Sequence, residues 1–174
     1  MCVSDLTRSR ARACKEQLGG NSTLYLYDDL ADAFTVSAGN EATAMNVALT
    51  ANYSYELEGD GNTLEEVMVG DRNTGTRVNT QTLTVILKKM SAADAAEFNL
   101  LVASFAQAVV KDRNGNYKAL GLRKGMDWTV TASTGGAMGD LSGYTIVGTA
   151  QESKLAPTLD AATITAFEAV TVAV

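Results

Sequence analysis

Apolar and polar positions alternate at period two along much of the chain, the spacing of a strand with one buried face. Ser22–Tyr27 (STLYLY) predicts a strand and Phe34–Ser37 a weaker one. In Asn52-Tyr53-Ser54-Tyr55-Glu56-Leu57-Glu58, the residues Tyr53, Tyr55 and Leu57 share one face. Val67–Val69 and Val78–Lys88 continue the pattern; in the second, Thr80, Thr82 and Thr84 line one side and Leu83, Val85 and Leu87 the other. Ala108–Lys111 and Tyr117–Leu122 flank Asp112-Arg113-Asn114-Gly115-Asn116, and Asn-Gly between two such runs is a strong hairpin signal. Met126, Trp128, Val130 and Ala132 alternate with polar residues, and Tyr144–Gln151 follows as a further strand. Phe167–Val174 reads as a last strand with Val170, Val172 and Val174 on one face, an end that must pair with its own sheet or a neighbour's.

The period changes once in mid-chain. Ser91-Ala92-Ala93-Asp94 resembles a capping box, and Asp94 and Glu97 place negative charge in the first turns, where the helix dipole favours it. Ala95, Phe98, Leu101, Val102 and Phe105 recur at three- and four-residue spacing, so this helix should lay an apolar stripe across a sheet. Asp5–Leu18 reads as a short helix or ordered arm stopped by Gly19-Gly20. The stretches GDGNTLEE and GDRNTGTR read as loops, together one long loop or protruding hairpin at about residues 58–80. Residues 1–20 are thus an arm and residues 21–174 a single β-rich domain. The fold expected is mainly β, a β-sandwich or partly closed antiparallel barrel with one packed α-helix and a short N-terminal helix or arm. The single proline, Pro157, leaves strand interiors free of ladder breaks.

Charge is uneven. Residues 1–15 hold Arg8, Arg10, Arg12 and Lys15 against Asp5 alone, a net of +3, so the overall −6 leaves −9 on the remainder. An acidic body repels phosphate, which argues against a sequence-reading DNA-binding protein. The basic arm is better suited to docking on an acidic neighbouring subunit. No apolar run reaches the ~18 residues of a membrane span, and the N-terminus lacks the apolar core of a secretory signal, so neither membrane insertion nor export is expected. Cys2 and Cys14 form neither a C-x-x-C pair nor a disulfide framework, in keeping with assembly in a reducing cytoplasm.

Candidate chemistry is sparse. The chain has no histidine, which removes Ser-His-Asp and Cys-His catalysis and His-metal sites. Glu56, Glu58, Asp60, Glu65 and Glu66 form the densest acidic cluster, and a carboxylate pair facing a cleft would be the enzymatic option; a solvated acidic face is the plainer reading. Asp112–Asn116 has misplaced glycine and strand flanks for a calcium loop and reads as a turn. Gly135-Gly136-Ala137-Met138-Gly139 lacks the Gly-Lys-Ser/Thr and the following helix of a phosphate cradle and reads as a connection. Trp128 and the tyrosines Tyr25, Tyr27, Tyr53 and Tyr55 lack the interleaved cations of a nucleic-acid platform and are assigned to the core. No catalytic residue, cofactor or metal is expected.

From Thr82 to Pro157 the order is a strand (TLTVILKKM), a helix (SAADAAEFNLLVASF), a strand with a DRNGNYKALG turn, then GMDWTVTASTGGAMGDLSGYTIVGTAQESKLAP. This order resembles that of the tail tube proteins of long-tailed bacteriophages. The resemblance implies a virion structural protein assembled in the host cytoplasm: homohexameric rings, stacked with other tail proteins into a conduit through which DNA passes as non-specific cargo. On that reading Glu56, Glu58, Glu65 and Glu66 would line the lumen, while Arg8, Arg10, Arg12 and Lys15 would dock on the next subunit and make stacking salt-sensitive. A capsid decoration or head–tail joining protein and a carbohydrate-binding β-sandwich module are the alternatives; the last requires exposed aromatic platforms.

Overall fold

The structure is a computed structural model in which residues 9–12 and 15–172 are described. Cys2, Arg8, Cys14 and Val174, all assigned above, lie outside the described residues. Two sheets form the framework of the molecule. The large sheet runs, in spatial order, β12 (Thr171–Val172), β4 (Asn52–Glu56), β1 (Asn21–Tyr27), β7 (Gln107–Asp112), β8 (Tyr117–Leu120), β11 (Thr158–Leu159), β3 (Glu41–Met45) and β2 (Phe34–Val36). Its neighbours are antiparallel except for β12 with β4 and β11 with β3. The small sheet is wholly antiparallel, in the order β5 (Thr63–Asp71), β6 (Thr76–Lys88), β10 (Gly143–Glu152) and β9 (Asp127–Ser133). The architecture is mainly β and sandwich-like; of the two forms expected from the sequence, the sandwich is the one adopted, not a closed barrel.

The alternation in β1 explains the layering. Leu24 and Leu26 face the small sheet, where Leu83, Val85, Ile146, Met126 and Trp128 complete an inter-sheet core. Tyr25 and Tyr27 face the opposite way into a second core with Phe34, Val109, Leu159 and Phe167. Since successive strand residues point to opposite faces, one strand serves both cores. The expected central helix is α1 (Ala92–Ala103): the Asp94 N–H donates to Ser91 Oγ at 3.1 Å. Phe98 and Leu101 are buried, Phe98 lying edge-on to Tyr144 at 4.8 Å between ring centres. The predicted stripe ends early, however, because Val102 and Phe105 are exposed.

Of the short helix or ordered arm expected at the N-terminus, residues 9–12 and 15–18 carry no helix, which leaves the arm among the described residues. Three sequence expectations need correction. The stretch Thr63–Glu66, read as loop, begins β5. The stretch Phe167–Val170, read as strand, belongs to a second helix and its cap: α2 (Ala161–Ala169) is capped by Asp160, whose carboxylate accepts from the Thr163 N–H at 2.7 Å and is held below its usual pKa range by that bond. Phe167 is completely buried among Tyr25, Tyr27 and Phe34. Only Thr171–Val172 continue as strand, and they pair with β4 of their own sheet. Finally, Tyr53 is half exposed, while its neighbour Asn52 is buried and donates from Nδ2 to the Phe167 carbonyl at 2.8 Å. A polar side chain can enter that core because it finishes a helix end there.

Replacing Phe167 by Ala should remove about 3–5 kcal/mol of stability, since it leaves a void at the centre of the second core; denaturant unfolding measures this, and a loss below 1 kcal/mol would show that core to be dispensable. Burial, reinforced by a hydrogen bond with Tyr117, pushes the Tyr25 hydroxyl up to about 12, and burial with the Glu168 hydrogen bond pushes Tyr117 up to about 12. An acid whose folded pKa is raised favours the fold only while protonated. The contribution of these two tyrosines should therefore be constant from neutral pH up to about pH 10, the unfolded tyrosine value, and stability should fall between there and about 12, as thermal melts paired with a tyrosinate absorbance titration would record.

Candidate assembly surface

The large sheet is packed on both faces, but the small sheet is packed on one. Its inward positions are set by Asn79, Gln81, Leu83 and Val85 of β6, all buried. The register then assigns the outward rows. One row runs Thr63, Thr84, Val147, Thr129 across the four strands, and the next Glu65, Thr82, Thr149, Asp127. Thr80 on β6 and Thr131 and Thr145 on β9 and β10 extend the same face. These side chains are exposed or half-buried. The result is a hydroxyl-lined surface with Glu65 and Asp127 as the charges in its central row. Threonine suits such a place because its branched Cβ fits an extended backbone while its hydroxyl stays hydrated.

Both borders of this sheet are open. β5 spans 9 residues and β9 spans 7, and among the described residues neither has a strand partner on its outer side. Long uncovered edges are ready templates for another strand. From Val67 to Val78 every residue of the β5–β6 hairpin is exposed, for β10 ends opposite Asn79. The hairpin thus projects as a two-stranded arm with Val67, Met68, Val69 and Val78 uncovered. At its turn the Asn73 N–H donates to the Asp71 carboxylate at 2.8 Å, which holds that group below its usual pKa range. An isolated hairpin is marginal in water, so an apolar arm of this kind gains stability by docking.

The predicted residues fall into three groups. Arg10, Arg12 and Lys15 are exposed, and the chain carrying them is fixed at Leu18, where the Asn114 side chain donates to the Leu18 carbonyl at 2.8 Å and accepts from its N–H at 2.9 Å. Glu65 stands on the threonine face. Glu56, Glu58 and Glu66 do not: Glu56 is exposed on β4 of the other sheet, Glu58 lies in the following loop 3.6 Å from Lys88, and Glu66 is turned inward. Glu66 is nearly buried, pairs with Lys118 at 3.2 Å, and accepts from Asn79 Nδ2 at 3.0 Å and the Ala156 N–H at 2.7 Å. The register-defined pairing of Glu66 with Gln81, an inward position, is why it cannot face the same way as Glu65. Asp127 takes its place on the outer face; it was missed because the sequence alone does not say which strands are neighbours.

The acidic cluster is likewise dispersed into separate pairs, Glu58 with Lys88, Asp60 with Arg113 at 3.7 Å, and Glu66 with Lys118. In the glycine-rich loop the Gly136 and Ala137 N–H groups donate to the Asp140 carboxylate, each at 2.8 Å, so the donors a phosphate would need are already used. Asp112 accepts from the N–H groups of Asn114 and Asn116, closing a turn. A cleft of about 250 Å³ opens between β2 and the loop after β10, and two of its polar side chains are engaged: Glu152 accepts from the Arg123 N–H at 2.9 Å and Gln81 from the Gly121 N–H at 3.1 Å.

If the outer face does no packing work, Thr82→Lys with Thr149→Lys should cost under about 1 kcal/mol, yet should give the protein a salt-dependent affinity for duplex DNA that the parent lacks. Fluorescence anisotropy at low and moderate salt checks this; strong binding by the parent would refute a phosphate-indifferent face. The chain matches no known family model, no curated protein and no solved structure, so its function must be argued from these surfaces.

Proposed function

We propose that this protein is a self-assembling structural subunit, and that the assembly is the ring-stacked tube of a bacteriophage tail. The observation that carries the reading is the small sheet, open at both edges and hydroxyl-lined on its free face. Its four strands alternate in direction, so β5 of one copy can meet β9 of the next only antiparallel, continuing the pattern already within each subunit. Repeating one such heterologous contact about an axis closes a ring and leaves no edge exposed. For six copies, the number implied by the tail-tube resemblance, a spacing of ~4.8 Å and a strand tilt of about 40° give a barrel roughly 48 Å across at the backbone. Side chains narrow it, but a channel for duplex DNA remains.

The lining would suit passage rather than retention. Threonine hydroxyls hold water, and Glu65 and Asp127 offer phosphates no cation to exchange for their counterions. The projecting arm and the basic segment at Arg10, Arg12 and Lys15 would reach neighbouring subunits, whose acidic bodies supply the complementary charge.

Negative-stain microscopy of the concentrated protein should show rings or tubes with a central hole. Val67→Lys with Val69→Lys should leave a folded monomer, unchanged in far-UV circular dichroism, that forms neither. A parent protein that stays monomeric at high concentration, or variants that still form tubes, would overturn the proposal.

A further inference from the structure

We infer that Glu66 is a positioning residue that locks the angle at which the β5–β6 arm leaves the sandwich. The inference rests on the proposed role of that arm in assembly, but concerns the isolated subunit. Glu66 is the last residue of β5 before the unbroken exposed run that starts at Val67, and Asn79 is the first buried residue of β6 on the way back. The two side chains meet there: Asn79 Nδ2 donates to Glu66 Oε2 at 3.0 Å and to the Lys154 carbonyl at 3.0 Å. The same Glu66 oxygen accepts from the Ala156 N–H at 2.7 Å, and the other takes Lys118 Nζ at 3.2 Å.

One carboxylate thus ties the root of the arm to three separate places: the returning strand, the loop after β10, and β8 of the opposite sheet. Charge-assisted hydrogen bonds are the stronger kind, and three donors converging from different directions fix a side chain where one would let it swing. Without them the root would be held by the β5–β6 ladder and, on the β6 side alone, by the β6–β10 ladder that ends at Asn79–Glu152 and the Asn79–Lys154 hydrogen bond. β5, the outer strand, would keep no side-chain tie to the loop after β10 or to the opposite sheet, and the arm would twist and tilt about β6. Docking an already oriented arm avoids the ordering cost that a swinging one must meet on binding.

The test uses the full chain with Cys2→Ser and Cys14→Ser, and nitroxide labels at Arg72→Cys on the arm and Ser133→Cys on β9. Pulsed electron–electron resonance on dilute monomer should give one narrow distance distribution. Glu66→Ala and the near-isosteric Glu66→Gln should broaden it, and should speed amide exchange across residues 67–78 at least tenfold while Leu24 and Val109 stay protected. A distribution as narrow as the parent's in both variants would overturn the lock. Because these readouts come from monomers, they stand or fall separately from tube formation: variants that broaden the distribution support the lock even if the parent never polymerises.

Discussion

Every residue of β1 from Leu24 to Tyr27 is buried. A strand in that position can belong only to a sheet covered on both sides, and this one fact arranges the rest of the molecule. Its leucines require the small sheet on one side; its tyrosines require α2, brought in by Phe167, on the other. Once the large sheet has both faces committed, the wet face of the molecule's β structure must belong to the small sheet. A protein with a single core would have offered solvent a face of each sheet and no clear direction for its function.

The covering is tight at the points where it has to be. Trp128 reaches across the inter-sheet core with its indole N–H donating to the Ala106 carbonyl at 2.9 Å. Its ring lies over Gly148 on the neighbouring strand, where an added Cβ would come within 2.6 Å of it. A glycine in mid-strand usually weakens it; here it makes room for the largest side chain in the sheet. This interlock holds β9 against β10 from the inside, so the outer border of β9 can stay open without the strand fraying.

Much of this was legible in the sequence where the signal is local. The alternation of Val78–Lys88, the Ser91 cap and the Asn-Gly turn after β7 each depend on residues a few positions apart, and each appears in the structure as read. Features that depend on residues far apart were not legible. Nothing near Glu66 announces that Lys118 and Ala156 will surround it, and an acidic residue in an acidic run looks solvated until its partners are known. In α2, Ala161-Ala-Thr-Ile-Thr-Ala-Phe lacks an amphipathic stripe and carries two β-branched threonines; Asp160 was its only strong local cue. Tyr53 followed the strand period correctly, but lies near the sheet margin where only two residues of β12 remain to cover it.

The charge of the whole chain makes a final constraint on what the threonine face can be. The body carries −9 outside the first fifteen residues, yet the central rows of that face hold only two of the acidic groups. A surface evolved to bind polyanions would gather cations; one evolved to expel them would gather carboxylates. This face does neither. Across a wide aqueous channel, charges further away than the ~8 Å screening length at physiological salt contribute little, so a polyanion near the axis would sense mainly hydrated hydroxyls and scattered negative charge. The acidic excess instead lies on other surfaces, where it can meet the basic segment of another copy. In the ring proposed above, attraction would thus be directed to contacts between subunits and withheld from the face turned toward the cargo.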